Sequence, residues 1–229
     1  GGPDMRLPSA YWNSFGFFTD MAKKWYVTID YISNMNMDGS KFEYNIKPSV
    51  YARIGSKVLL EAAAELYTDR NDLQYAGTIA PTAEGEKKSY ILGRMFQRTY
   101  GVTLRAQVNV TPDLSLQFYG APFTSNARYT DFQAAANTLS DEKSERMRPL
   151  SESESARMIS PDFSFNEFRS NFVARWEYRP GSTLYLVWEH ARSDYGSQYV
   201  SGWGKNIGNM FRRPATNVFM LKFNYYFNL

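Results

Sequence analysis

His190 is the single imidazole in a chain of 229 residues that has no cysteine. One His without a second ligand builds neither a metal centre nor a nucleophile–base pair, and it reads as a residue at a rim interface. Zero Cys removes disulfides, thiolate metal sites and thiol nucleophiles together. Acid–base chemistry would then rest on carboxylates. Glu61 and Glu65 lie four apart in VLLEAAAEL, which on a strand separates them by about 13 Å, beyond the roughly 9.5 Å limit of a glycosidase pair. They read instead as charges that meet Arg or Lys on neighbouring strands. GWGKNIG, from Gly202 to Gly208, is glycine-rich, but it lacks the strand–loop–helix setting and the Lys-Ser/Thr ending of a phosphate loop. Tyr195, Tyr199 and Trp203 are the candidate ligand contacts: their rings could stack on sugars, or simply brace the loop. SDEKSERMRPLSESESARM, from Ser140 to Met158, mixes both signs of charge with Ser. It reads as a solvated loop, or as a contact surface for lipopolysaccharide or a partner protein. No catalytic set, metal site or cofactor is expected.

The segments around these residues alternate with period two. In TNVFMLKFNYYFNL, Phe219, Leu221, Phe223, Tyr225 and Phe227 share one face, and Val218, Met220, Lys222 and Asn224 share the other. TLYLVWEH sets Leu184, Leu186 and Trp188 against Tyr185, Val187 and Glu189. FRSNFVARWEY, DLSLQFYG, GVTLRAQVNV, VLLEAAAEL, KFEYNIKPSVYARI and WYVTIDY repeat the pattern. Nine strands are predicted, near residues 10–19, 24–37, 41–54, 57–79, 90–111, 114–131, 166–179, 183–195 and 216–229. That strand content far exceeds the roughly 20–25% of an ordinary globular domain. It suits a transmembrane barrel.

Composition narrows the class further. With 43% hydrophobic and 17% aromatic residues, the chain is too apolar for disorder. A mean hydropathy of −0.49, with LYLVW as the longest apolar run, excludes helical membrane spans, which need about 20 such residues. Lys and Arg number 26 against 23 Asp and Glu, a net +3, which gives no ground for nucleic-acid binding.

Connection lengths add an independent signal. DMAK, GS, PD and PGS make short turns on one rim, whereas the other rim carries DGS and longer loops near 80–89, 132–165 and 196–215. This is the asymmetry of outer-membrane barrels, with short turns periplasmic. Tracing back from a final strand that ends in the periplasm, nine strands start the first on the far side. An even strand count therefore predicts at least one further strand upstream, so that residues 1–229 form the C-terminal portion of a larger barrel or one chain of a barrel cleaved at an outer loop.

Alternation alone also suits a soluble sandwich or barrel that buries its apolar face. Three features favour the membrane. Charges recur on the polar faces (Glu43, Lys47, Glu61, Glu65, Arg105, Arg169, Arg175, Glu177, Glu189 and Lys222), as in a hydrated lumen. Trp25, Trp176 and Tyr178 lie beside short turns, as in a periplasmic aromatic girdle. The strands match or exceed the 9–11 residues that cross a bilayer at a tilt. The fold class expected is all-β, an antiparallel transmembrane barrel, with Leu184, Leu186, Trp188, Phe219, Leu221, Phe223, Tyr225 and Phe227 facing lipid.

GGPDMRLPSAYWN, TPDLSLQFYGAPF, PDFSFNEFRSNFVARWEYRPGSTLYLVWEHARSDY and NVFMLKFNYYFNL occur in that order. They resemble the C-terminal barrel region of an uncharacterised outer-membrane family of Bacteroidota, and FRSNFVARWEYRPGSTLYLVW is the most specific stretch. The resemblance implies an N-terminal domain similar to family 9 carbohydrate-binding modules ahead of the barrel, outside these residues. It brings no reaction to any residue. The function expected is a non-enzymatic bacterial outer-membrane module that anchors or works with a glycan-binding domain, in carbohydrate binding or uptake. The alternatives are a structural subunit of a transport, secretion or assembly complex and, more remotely, a surface hydrolase. The partners expected are membrane lipid and lipopolysaccharide, with other outer-membrane proteins or glycans.

Overall fold

A computed structural model describes residues 2–82 and 87–227. Alternating β-branched and aromatic residues form β1 (Ala10–Phe18), β2 (Trp25–Asn36), β3 (Lys41–Ile54), β4 (Val58–Ile79), β5 (Ser89–Asn109), β6 (Leu114–Ala135), β8 (Phe163–Arg179), β9 (Ser182–Gly196) and β10 (Thr216–Asn224), with a short β7 (Met147–Pro149) beside β6. All belong to one antiparallel sheet in the order β1-β2-β3-β4-β5-β6-β8-β9-β10. The sheet is open, because β1 pairs with β2 alone and β10 with β9 alone.

Short turns join β1 to β2, β3 to β4, β5 to β6 and β8 to β9 at one rim. In the last of these, Gly181 has φ +78, and a Cβ there would come within 3.0 Å of the Tyr226 side chain. Only glycine serves both constraints.

The long-loop rim differs in detail from the sequence expectation. Ladder pairing carries β6 on to Ala135, and β8 begins at Phe163, so both ends of the expected 132–165 loop are strand. The remaining 136–162 excursion holds a 3-10 turn at Lys143–Glu145, β7 and helix α1 (Glu152–Arg157). The expected 196–215 loop holds helix α2 (Trp203–Phe211). Part of the 80–89 loop, residues 83–86, lies outside the described residues. The strand expected over 216–229 is β10, which stops at Asn224; 225–227 are not strand, and 228–229 lie outside the described residues. The last ladder partner of Asn224 is Thr183, beside the β8–β9 turn, where β9 itself begins.

The buried apolar core is small. Ile79, Ile91 and Ala134 cluster near the long-loop rim with Ala76, Phe132, Leu150 and Met158 against them. Total accessible surface is 14773 Å², against about 10,600 Å² for a compact monomer of this mass. Most of the sheet's apolar side chains are therefore uncovered.

Candidate functional site

Antiparallel register decides which strand faces coincide. One rung runs Glu61–Arg105–Tyr119–Asn171–Glu189 from β4 to β9. Because side chains alternate, the same face carries Glu43, Lys47, Glu65, Arg169, Arg175, Glu177 and, through the Tyr185–Lys222 pair, Lys222. All ten charges singled out in the sequence thus share one side of the sheet.

That side is concave. Asp30 on β2 and Arg169 on β8 line one cavity of about 440 Å³, a space roughly 10 Å across, although five strand-to-strand steps would separate them by about 24 Å in a flat sheet. A second cavity of about 550 Å³ lies nearer the short-turn rim, between Tyr26, Tyr51, Arg53, Glu61, Arg105 and Tyr119. Tyr26 and Tyr51 stack at 4.5 Å, and the Arg105 guanidinium lies 5.5 Å from the Tyr119 ring centre.

Ion pairing on this face is of two kinds. Arg105–Glu61 at 3.1 Å and Lys47–Glu65 at 3.2 Å bridge neighbouring strands. Arg175–Glu177 at 3.0 Å and Arg169–Glu167 at 2.8 Å run along β8 itself. Glu189 accepts from Asn171 Nδ2 at 3.5 Å. Glu61 and Glu65 are each engaged with a cation rather than with one another. Among the described residues no group of three or more His, Cys, Asp or Glu is placed to hold a metal.

The opposite face is convex and apolar. Its rungs include Leu60–Ala106–Phe118–Phe172–Trp188–Phe219 and Val58–Val108–Leu116–Ala174–Leu186–Leu221. Leu104 is 46% exposed, Leu186 45% and Leu221 70%. Leu184 and Phe223 face each other across β9 and β10. Trp188 and Phe219 stack at 6.1 Å, and Tyr178 and Phe223 at 5.5 Å. Tyr225 and Phe227 continue this aromatic row beyond the ladder, with ring centres 4.5 Å apart. Trp25, Trp176 and Tyr178 border the face at the short-turn rim, the first two largely exposed.

The apolar band crosses the ladder diagonally. On β4 it ends at Leu66, before Thr68 and Arg70; on β9 it ends at Trp188, before His190 and Arg192. The Trp188 rung meets β4 at Leu60, six residues below Leu66. At the lower rim, the rung from Val58 meets β9 at Leu186, four residues from its start. Four to six residues over four strand steps is about 13–20 Å along the strands for about 19 Å across them, a slope of about 35–45°.

Past the band, the convex face turns polar. His190 lies there, its Nε2 accepting from Arg192 Nε at 3.1 Å. Arg can only donate, so the His proton sits on Nδ1 and is given to Asn217 Oδ1 at 2.9 Å. The ring is a braced structural group. Helix α2 packs on the same face: Phe211 lies 5.4 Å from Phe168, and Asn206 Oδ1 accepts from Ser164 at 2.9 Å.

The three candidate sugar-stacking aromatics do not form one surface. Tyr195 lies opposite Phe165 on the concave side, Trp203 opens α2 on the convex side, and half-buried Tyr199 lies in the connection between them. What the sequence reading missed is α2 itself. Its signal was Trp203, Ile207, Met210 and Phe211 at helical spacing, interrupted by Gly204 and Gly208. Similarly, Ser151 and Glu154 spell a capping box inside the charged loop.

Comparison with known proteins finds no match among curated proteins and none among solved structures. Residues 2–229 match the family described as Domain of unknown function (DUF5916). That match spans the sheet, both faces and both long connections, and on it the chain belongs to the DUF5916 family.

Proposed function

We propose that these residues are a transmembrane β-barrel module of a bacterial outer membrane, without catalysis of their own, that anchors or works with a glycan-binding domain. One observation carries the reading: the sheet is inverted relative to a soluble protein, with charges on the concave face and exposed aliphatic and aromatic side chains on the convex one. The band spans nine residues on β4 (Val58–Leu66) and on β5 (Tyr100–Val108). At the slope above, that is about 20 Å of vertical height, close to the roughly 25 Å apolar belt of outer-membrane barrels, whose strands tilt about 35–45°. Trp25, Trp176 and Tyr178 mark the periplasmic interface. The concave cavities line the lumen, and further strands join the free edges of β1 and β10.

Those same free edges favour a second reading, a subunit whose barrel closes against another chain of an outer-membrane complex. A stoichiometric partner retained after mild detergent extraction would select it.

The test of membrane insertion is a pair of adjacent substitutions. In lipid vesicles, Leu104→Arg at the centre of the band is expected to cost about 2–4 kcal/mol of folding stability, and Thr103→Arg on the concave face far less. Equal costs, or a folded monodisperse chain in detergent-free buffer, would overturn the proposal.

A further inference from the structure

Just past the apolar band, the convex face gathers cations, several of them outside any ion pair among the described residues. Arg98, Arg128 and Arg192 project from β5, β6 and β9, and Lys205 and Arg212 from α2 and its end. Among the described residues none of these five is in an ion pair within 4.0 Å of an acid. Nearby acids are engaged elsewhere: Asp194 is held by Arg213 at 2.6 Å, Asp162 accepts from Tyr129 N–H at 2.8 Å, and Asp72 pairs Arg94 at 2.9 Å. Arg192 is spent on carbonyls, donating to Phe211 O at 2.5 Å and Arg213 O at 3.0 Å. It thereby clamps the end of α2 to β9.

The exposed side of α2 is shaped as well as charged. Lys205 and Arg212, seven residues apart, fall on one side of the helix axis, with Gly208 between them. Open space lies where a Cβ would stand at both Gly204 and Gly208. A ligand can therefore reach the helix backbone between the two cations. Phe211, next to Arg212, stays 45% exposed although it packs on Phe168, whereas Trp203, 42% exposed at the start of the helix, lies on the side of buried Asn206 and Met210.

We propose that α2 and its cationic fringe form a site for the phosphate of a lipid headgroup in the leaflet at the long-loop rim. This rests on the membrane reading, which puts lipid chains against the band and headgroups directly beyond it. A soluble anion would use the charges alone; a lipid also uses their position directly past the apolar band, its phosphate on Lys205 and Arg212 and its upper chain region beside the exposed edge of Phe211. Arg98 and Arg128 extend the site around the convex face on the other side of α2.

The full-length protein, extracted in a neutral maltoside detergent, would be titrated with bis-phosphorylated lipid A and with the same lipid stripped of phosphate, bound lipid being counted by native mass spectrometry. The phosphorylated form is expected to be retained selectively. In the double variant Lys205→Gln/Arg212→Gln, its affinity is expected to fall about 30-fold, and in Arg53→Gln, a cation on the concave face, to stay unchanged. Equal retention of both lipids, an equal loss in Arg53→Gln, or binding of short inorganic polyphosphate as tight as that of the lipid would each overturn the assignment. A chain that inserts into vesicles yet shows any of these results refutes the headgroup site alone. Failure to insert refutes the membrane reading itself.

Discussion

Asp38, in the turn between β2 and β3, holds Lys143 of the β6–β8 excursion at 2.7 Å. Burial works against its charge, but Lys143 and both the hydroxyl and N–H of Ser40 outweigh it and hold the carboxyl down at about 2. A carboxyl pulled below its ordinary value of 3.8 stabilises the folded form fully above that value, and the contribution is lost as pH falls through about 2. Lowering the pH from 5 to 2 is therefore expected to loosen the excursion around Lys143. Hydrogen exchange at 140–146, corrected for intrinsic rates, should accelerate more in the wild-type chain than in Asp38→Asn, where the tie is already gone. The same acceleration in both would refute the tie. His190 shows the opposite case at this scale: a residue with catalytic chemistry in principle, whose two nitrogens are occupied by Arg192 and Asn217.

At the scale of elements, α1 is six residues long, too short to persist by propensity alone. Its start is held by a reciprocal cap, Glu154 N–H donating to Ser151 Oγ at 3.2 Å and Ser151 N–H to Glu154 Oε2 at 2.8 Å. Arg148 then donates twice to the Glu154 carboxylate, both at 2.7 Å, and with the Ser89 and Ser151 bonds holds that carboxyl well below its usual range. Ser151→Ala is expected to cost about 1 kcal/mol of local stability. Arg148→Ala should cost more, since it strips a nearly buried carboxylate of its cation. Limited proteolysis after Arg157 would report both; equal resistance in all three chains would contradict the linkage. The strands gain their order differently, each from a full-length neighbour. The expected edges of the 132–165 loop became strand because β6 and β8 found partners for residues that their own pattern does not mark.

For the whole molecule, the deciding quantity is depth along a tilted sheet. If rungs lay parallel to a membrane, Phe223, three rungs below Leu104, would sit at the rim, where Arg costs about 0–1 kcal/mol. With strands inclined by about 40°, the row Phe219–Leu221–Phe223 on β10, continued past the ladder by Tyr225 and Phe227, drops into the band, so Phe223 lies inside it rather than at the rim. Phe223→Arg is therefore expected to cost about 2 kcal/mol in lipid vesicles, above the rim value but less than Leu104→Arg because its ring stacks on Tyr178 of the girdle, and Asn224→Arg much less. A cost near zero at Phe223 would show that the diagonal is not a tilt. The surface in excess of a compact monomer is where such a sheet would meet lipid and, at β1 and β10, further strands.

Alternation settled a good deal of this from the sequence. A side-chain period of two sorts Glu43, Lys47, Glu61 and Glu65 from Ile46, Leu60 and Leu66 without any knowledge of pairing, because the sorting is local to each strand. Turn residues such as Gly55 and Gly181 likewise mark hairpins through their own backbone freedom. Which strand faces coincide, which side of the sheet is concave, and how far the band slants across it required the register of eight consecutive ladders. Those are sums over long-range hydrogen bonds, and no single segment carries them. Helix α2 landed on the convex face for the same reason. The groups that hold it, Ser164, Phe168 and Arg192, come from strands up to 43 residues away and share a surface with it only once β8 and β9 are paired.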